Sequence, residues 1–123
     1  MEITEDIKKV IEENGISFAT VNEFNKPHII IVADIKIISK NQILIADNFM
    51  KNTVENLKNN NNVSIMVWDK KITQDSLAYE IIGEAQYFSE GKWKEEGHQR
   101  DPDCETKGAI LVTVTKIKKL SLI

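Results

Sequence analysis

The sequence predicts a small, mainly β domain: six antiparallel strands that close, or nearly close, a barrel carrying short helices. Three observations predict it. Runs rich in Ile, Val and Thr recur along the chain between polar turns. Several runs are apolar on both faces, with Ile29 and Ile31 opposite Ile30 and Val32, and Leu111 opposite Ile110, Val112 and Val114. Antiparallel strands normally alternate apolar and polar, so such strands need a second cover, from helices or a partner subunit. Finally, 123 residues and 14.0 kDa suit one domain over 1–123 with one core, and barrel closure removes exposed strand edges. Twofold dimers are the commonest closed oligomers, and a homodimer is expected.

Ile3, Ile7, Val10 and Ile11 recur at helical spacing, with Thr4 suited to cap the helix and Gly15 to stop it. After Gly15 the period changes to two. Strands are expected at Ile16 to Val21 and His28 to Ile38, joined as a hairpin through the turn-rich Asn22 to Pro27. A turn at Ser39 to Gln42 leads to a third strand, Ile43 to Asp47, then a short helix to about Lys58. Val63 to Trp68 is the fourth strand, and Lys70 to Asp75 reads as a polar loop. Leu77 to Phe88 reads as a long fifth strand bulged or bent at Gly83. Glu90 to Lys107 reads as a helical turn plus a loop around Pro102, and Gly108 to Ile117 as the last strand. Lys116, Lys118 and Lys119 read as solvated edge charges that discourage strand pairing.

Composition narrows the function. A net charge of −3 lacks the basic stripe of a nucleic-acid binder. No window approaches the roughly 18 apolar residues of a membrane span, and the acidic, amphipathic start is unlike a signal peptide. Cys104 is the sole cysteine, which points to a reducing, cytoplasmic setting. Arg100 is the only arginine and asparagine is abundant, a bias that reads as background composition.

The most informative segment is the turn after the third strand. Lys51, Asn52 and Thr53 gather where a helix presents unpaired N–H groups and the positive end of its dipole. A cation, an amide and a hydroxyl there make a phosphate seat. The same residues also read as a plain cap: Asn52 with Glu55 fits a capping box, and Thr53 can cap as well.

The order of elements and several short motifs carry a resemblance. Gly15-Ile-Ser-Phe-Ala-Thr-Val21, Lys26-Pro-His28, Leu44-Ile-Ala-Asp47, Met50-Lys-Asn-Thr-Val-Glu-Asn-Leu57 and Val63-Ser-Ile-Met-Val67 carry most of it. Glu80-Ile-Ile-Gly-Glu-Ala85 and Ala109-Ile-Leu-Val-Thr-Val114 complete it. Nearly the whole chain resembles the pyridoxamine 5′-phosphate oxidase-like FMN-binding split barrels, and within them the small single-domain flavoproteins. The resemblance implies a six-stranded split barrel with FMN at a dimer interface. It implies an FMN-dependent oxidoreductase or electron carrier served by a nicotinamide cofactor or a redox partner protein. Thr53 matches the family's phosphate-binding threonine and Asn56 the asparagine of the following helix. Lysine commonly stands directly before that threonine; here Asn52 does, and Lys51 is one residue earlier. Genuine pyridoxamine phosphate oxidation is not expected, because the C-terminal substrate-binding segment is missing. Alternatives are a non-catalytic module that lost flavin, or the same barrel holding deazaflavin or haem.

For FMN, the phosphate would draw on Lys51, Asn52 and Thr53. Ile31, Val32 and Ala33 with Ala46, Asp47 and Asn48 would line a slot for the ring. Trp68 or Trp93 are candidates to stack on it, against the simpler reading of core or interface. No side chain stands out as a general acid or base. His98, Asp101, Asp103 and Cys104 lack a recognised metal-ligand spacing, so no metal is expected and they read as a solvated loop. Nothing marks Cys104 with His98 as a nucleophile pair. His28 reads as a turn or edge residue. Arg100 reads as a surface cation, or as one folding over a phosphate of the partner.

Overall fold

A computed structural model describes residues 2–69 and 77–120; the polar loop expected over 70–75 lies outside them. Helix α1 (Glu5–Asn14) forms as its spacing predicts, burying Ile7, Val10 and Ile11. The Thr4 hydroxyl accepts the Ile7 N–H at 3.4 Å. Gly15 ends the helix at φ +73°, and a Cβ there would meet the Val32 carbonyl oxygen at 2.8 Å. Thr4→Ala is expected to cost about 0.5–1 kcal/mol, the low end for a lost cap because the bond is long. A urea midpoint unchanged within error would contradict that.

Strands β1 (Ile16–Val21) and β2 (Pro27–Val32) form the expected hairpin. Its turn is held by Asn22, whose Oδ1 accepts the N–H groups of Phe24 and Lys26. Then come β3 (Ile35–Ser39), β4 (Gln42–Asp47), α2 (Asn52–Asn59), β5 (Asn62–Trp68), β6 (Ala78–Phe88), α3 (Lys92–His98) and β7 (Gly108–Leu120). The ladder of β6 on β7 shifts register between Ile82 and Gly83, where the bulge was expected. Among the described residues no helix is long and apolar enough to cross a membrane.

The expected second strand, His28 to Ile38, is two strands, so the sheet has seven among the described residues. The run breaks at Ala33-Asp34, because a carboxylate cannot continue an apolar inner face. Asp34 turns out instead, accepting Asn48 Nδ2 on its carboxylate at 2.7 Å and the Ala46 N–H on its carbonyl at 3.0 Å. The break sets the architecture. The strand order is β2-β1-β5-β6-β7-β4-β3, which puts β2 and β3 at opposite edges. Yet Val32 and Ile35 are three residues apart, so their Cα atoms lie within about 11 Å. The sheet must therefore curl until its edges meet at this corner. No ladder joins β2 to β3, and the result is a split barrel.

The inner faces make one core, with Phe18, Ile43, Ile45, Ile65, Val67, Ile81, Ile110 and Val112 fully buried and α1 packed against them. The second apolar face of β4 and β7 is covered by α3, where Leu44, Ala109 and Leu111 meet Trp93. Among the described residues the second face of β2 has no such cover: Ile29 is 65% and Ile31 84% exposed.

Candidate functional site

The chain corner leaves a cleft of about 540 Å³ beside it. Its apolar wall is Ile30, Ile31, Val32 and Ala33 from the end of β2, faced by Ala46 from β4. Its polar end is Asn48 and the start of α2, with Lys51, Asn52 and Thr53. Asp101 and Cys104, from the loop after α3, form the remaining side. Residues far apart in sequence thus converge because β4 and β7 pair in full register from Gln42↔Thr113 to Asp47↔Gly108.

Helix α2 opens at Asn52 with Lys51 in the cap position and no side-chain cap bond. The capping box of Asn52 with Glu55 is not formed, nor does Thr53 cap. Asn52 is already the first helical residue, one position too late to cap, and Glu55 pairs with Lys58 at 3.3 Å. The Glu55 N–H bonds the Lys51 carbonyl, so the N–H groups of residues 52 to 54 are the helix's unpaired donors. Thr53 is 1% exposed, lines the cleft, and its hydroxyl takes part in none of the described side-chain hydrogen bonds.

Asp47 and Asn56 do not line the cleft; they hold the elements that do. Asp47 is fully buried, its carboxylate accepting Tyr87 Oη–H at 2.7 Å and the Met50 N–H at 2.8 Å, with Lys107 Nζ at 3.8 Å. Burial, and then this bond to Asp47, push the Tyr87 phenol well above its usual range. Asn56 Nδ2 donates to Thr20 Oγ1 at 3.0 Å, fixing α2 to β1. Asn48 is held on both sides: Nδ2 on Asp34, and Oδ1 accepting the Thr106 hydroxyl at 2.9 Å. Thr106 in turn meets His98 Nδ1 at 3.2 Å.

Neither tryptophan lines the cleft. Trp93 packs under α3 with Lys92 over its ring, and Trp68 borders a small separate hollow shared with Ile31. Size and polarity made both candidates, but α3 claims one and the far end of β5 the other. The aromatic ring at the cleft is Phe49, 88% exposed. A large apolar residue inside a polar turn is the signal that could have identified it. His28, Asp34, Asp101 and Cys104 also line the cleft, which the sequence reading did not assign. Cys104 donates to Asp101 Oδ2 at 3.0 Å, and that bond, then burial, raise its thiol pKa, keeping it protonated and poorly nucleophilic. Arg100 is exposed and away from the cleft. Among the described residues no group of three His, Cys, Asp or Glu side chains is placed to hold a metal.

Residues 3–121 match the sequence profile of the family described as pyridoxamine 5′-phosphate oxidase. An uncharacterized protein of Methanocaldococcus jannaschii is 29% identical over 98% of this chain and 82% of its own. HupZ of Group A Streptococcus superposes with a TM-score of 0.87 at 21% identity, covering 98% of this chain and 95% of that one. An FMN-binding protein of Syntrophomonas wolfei gives 0.81 at 19% identity over 94% and 84%. The haem storage protein HutZ of Vibrio cholerae gives 0.68 at 14% identity over 98% and 95%. At these identities the structural matches speak for the fold.

Proposed function

The chain belongs to the pyridoxamine 5′-phosphate oxidase family, and on that premise we propose that it is an FMN-binding flavoprotein working in hydride or electron transfer. The cleft carries the reading. Its volume falls within the roughly 300–1,000 Å³ usual for cofactor pockets. One end joins a lysine, a nearly buried threonine hydroxyl and a helix N-terminus, a donor set that suits a phosphate dianion. The other is a wall of aliphatic side chains that suits a flat, largely apolar ring. When bound, the flavin would supply the redox chemistry. The chain's part would be to seat the phosphate on Lys51, Asn52 and Thr53, orient the ring against Ile31 to Ala33, and exclude water. Asp34 and Asp101 are engaged by Asn48 and Cys104, so neither is offered as a general base.

The working form is a homodimer. Ile31 belongs both to the cleft and to the uncovered face of β2, so a second copy packed on that face would bury it and wall the cleft at once. A nicotinamide cofactor or a redox protein would deliver electrons at the remaining opening.

Purified protein is expected to show the visible absorption of oxidised flavin, and heat should release a flavin identifiable by mass spectrometry. A colourless protein that also fails to bind added FMN would sink the reading, and a haem or deazaflavin spectrum would replace it. Light scattering at micromolar concentration is expected to give twice the 14.0 kDa chain mass. Ile31→Glu should shift that mass toward the monomer; a monomeric wild type would overturn the shared cleft.

A further inference from the structure

The cleft continues past the helix terminus. His28 and Asn52 line it and also line a second groove of about 400 Å³. One wall of this groove is a stripe of α2, with Asn52, Glu55, Asn56 and Asn59 at i, i+3, i+4 and i+7. That spacing keeps them on one helix face for about 10 Å. The opposite wall is the β1–β2 turn, with Phe24 and Lys26.

Both walls are fixed in place. Asn22 holds the turn through the Phe24 and Lys26 N–H groups at 2.8 and 3.0 Å. Asn56 is bonded to Thr20, and Asn59 Nδ2 donates to the Glu55 carbonyl at 3.4 Å. The Glu55 carboxylate is drawn to Lys58. Phe24 is 73% exposed beside this polar groove.

We propose that the groove receives the second nucleotide of FAD, the ring and first phosphate of which fill the cleft; this rests on the flavin reading above. The shared residues put the junction at the phosphate end, where FMN stops and FAD continues. His28 lies at that junction and Lys26 lines the groove beyond it, where a second phosphate would sit. The asparagine stripe offers both donors and acceptors to a ribose and an adenine edge. Phe24 offers an exposed ring on which a base stacks.

Wild type, Phe24→Ala and Lys26→Ala should each be titrated with FAD and with FMN, following quenching of flavin fluorescence. Both substitutions truncate exposed turn side chains outside the cleft and leave the Asn22 turn bonds in place. Wild type is expected to bind FAD at least about tenfold tighter than FMN, and each variant to lose about tenfold for FAD while keeping its FMN affinity. If FAD binds no tighter than FMN, or the variants bind FAD as wild type does, the groove assignment falls and the FMN reading stands. If neither flavin binds wild type, both fall.

Discussion

Asp47→Ala is expected to destabilise the protein by about 3 kcal/mol, read as a lower urea midpoint at unchanged slope. The side chain is fully buried, and its two oxygens take the Tyr87 hydroxyl and the Met50 N–H. Hydrogen bonds to a charged group contribute about 1.5–3 kcal/mol each, and truncation takes the acceptor from two donors on half-buried residues. Lys107, half exposed and 3.8 Å away, adds little. Relief of the buried carboxylate's desolvation offsets part of the loss, so the estimate stays near the bottom of the summed range. Asp47→Asn, which keeps one carbonyl acceptor, should lose about half as much. A pH signature accompanies this. The folded Tyr87 pKa lies above its unfolded value of about 10, so the wild type loses stability as pH climbs beyond about 10. Asp47→Ala should flatten that fall, because one cause of the raised pKa is gone. A midpoint shift worth less than about 1 kcal/mol would mean the carboxylate does not hold the β4–α2 turn.

The same residue marks how far the sequence could be read. Asp47 was legible as the end of a strand and a neighbour of the phosphate turn, but its downward aim at Tyr87 depends on β6 lying two strands away. Local periodicity gave α1, from Ile7, Val10 and Ile11 between Thr4 and Gly15, because every signal lies within the helix itself. It gave β7 for the same reason. It missed the corner at Ala33-Asp34, where neither Gly nor Pro interrupts a β-branched run; the lone carboxylate was the available sign. The Lys51 to Thr53 turn could be found because a helix start is a local event. That it faces a cleft rather than capping itself could not, since the opposing wall, Asp101 and Cys104, arrives only through pairing of β4 with β7.

Lys51→Ala and Thr53→Ala are each expected to weaken FMN by about 1–3 kcal/mol, or roughly 5- to 150-fold in Kd. Lys51 caps α2 without a side-chain bond, so a cation stands beside the positive end of a helix dipole. That placement is unfavourable by a few tenths of a kcal/mol in the free protein, and a phosphate dianion reverses its sign. The Lys51 contribution should therefore shrink as salt is raised, while that of the nearly buried Thr53 should change less. Riboflavin separates phosphate from ring: if these residues act on the phosphate, both variants should bind riboflavin as wild type does. Thr53→Val, which keeps the buried shape, distinguishes loss of the hydroxyl from a cavity beneath α2. Should both alanine variants hold FMN undiminished, the phosphate sits elsewhere, and Asn52 in the place usually held by lysine would be the reason.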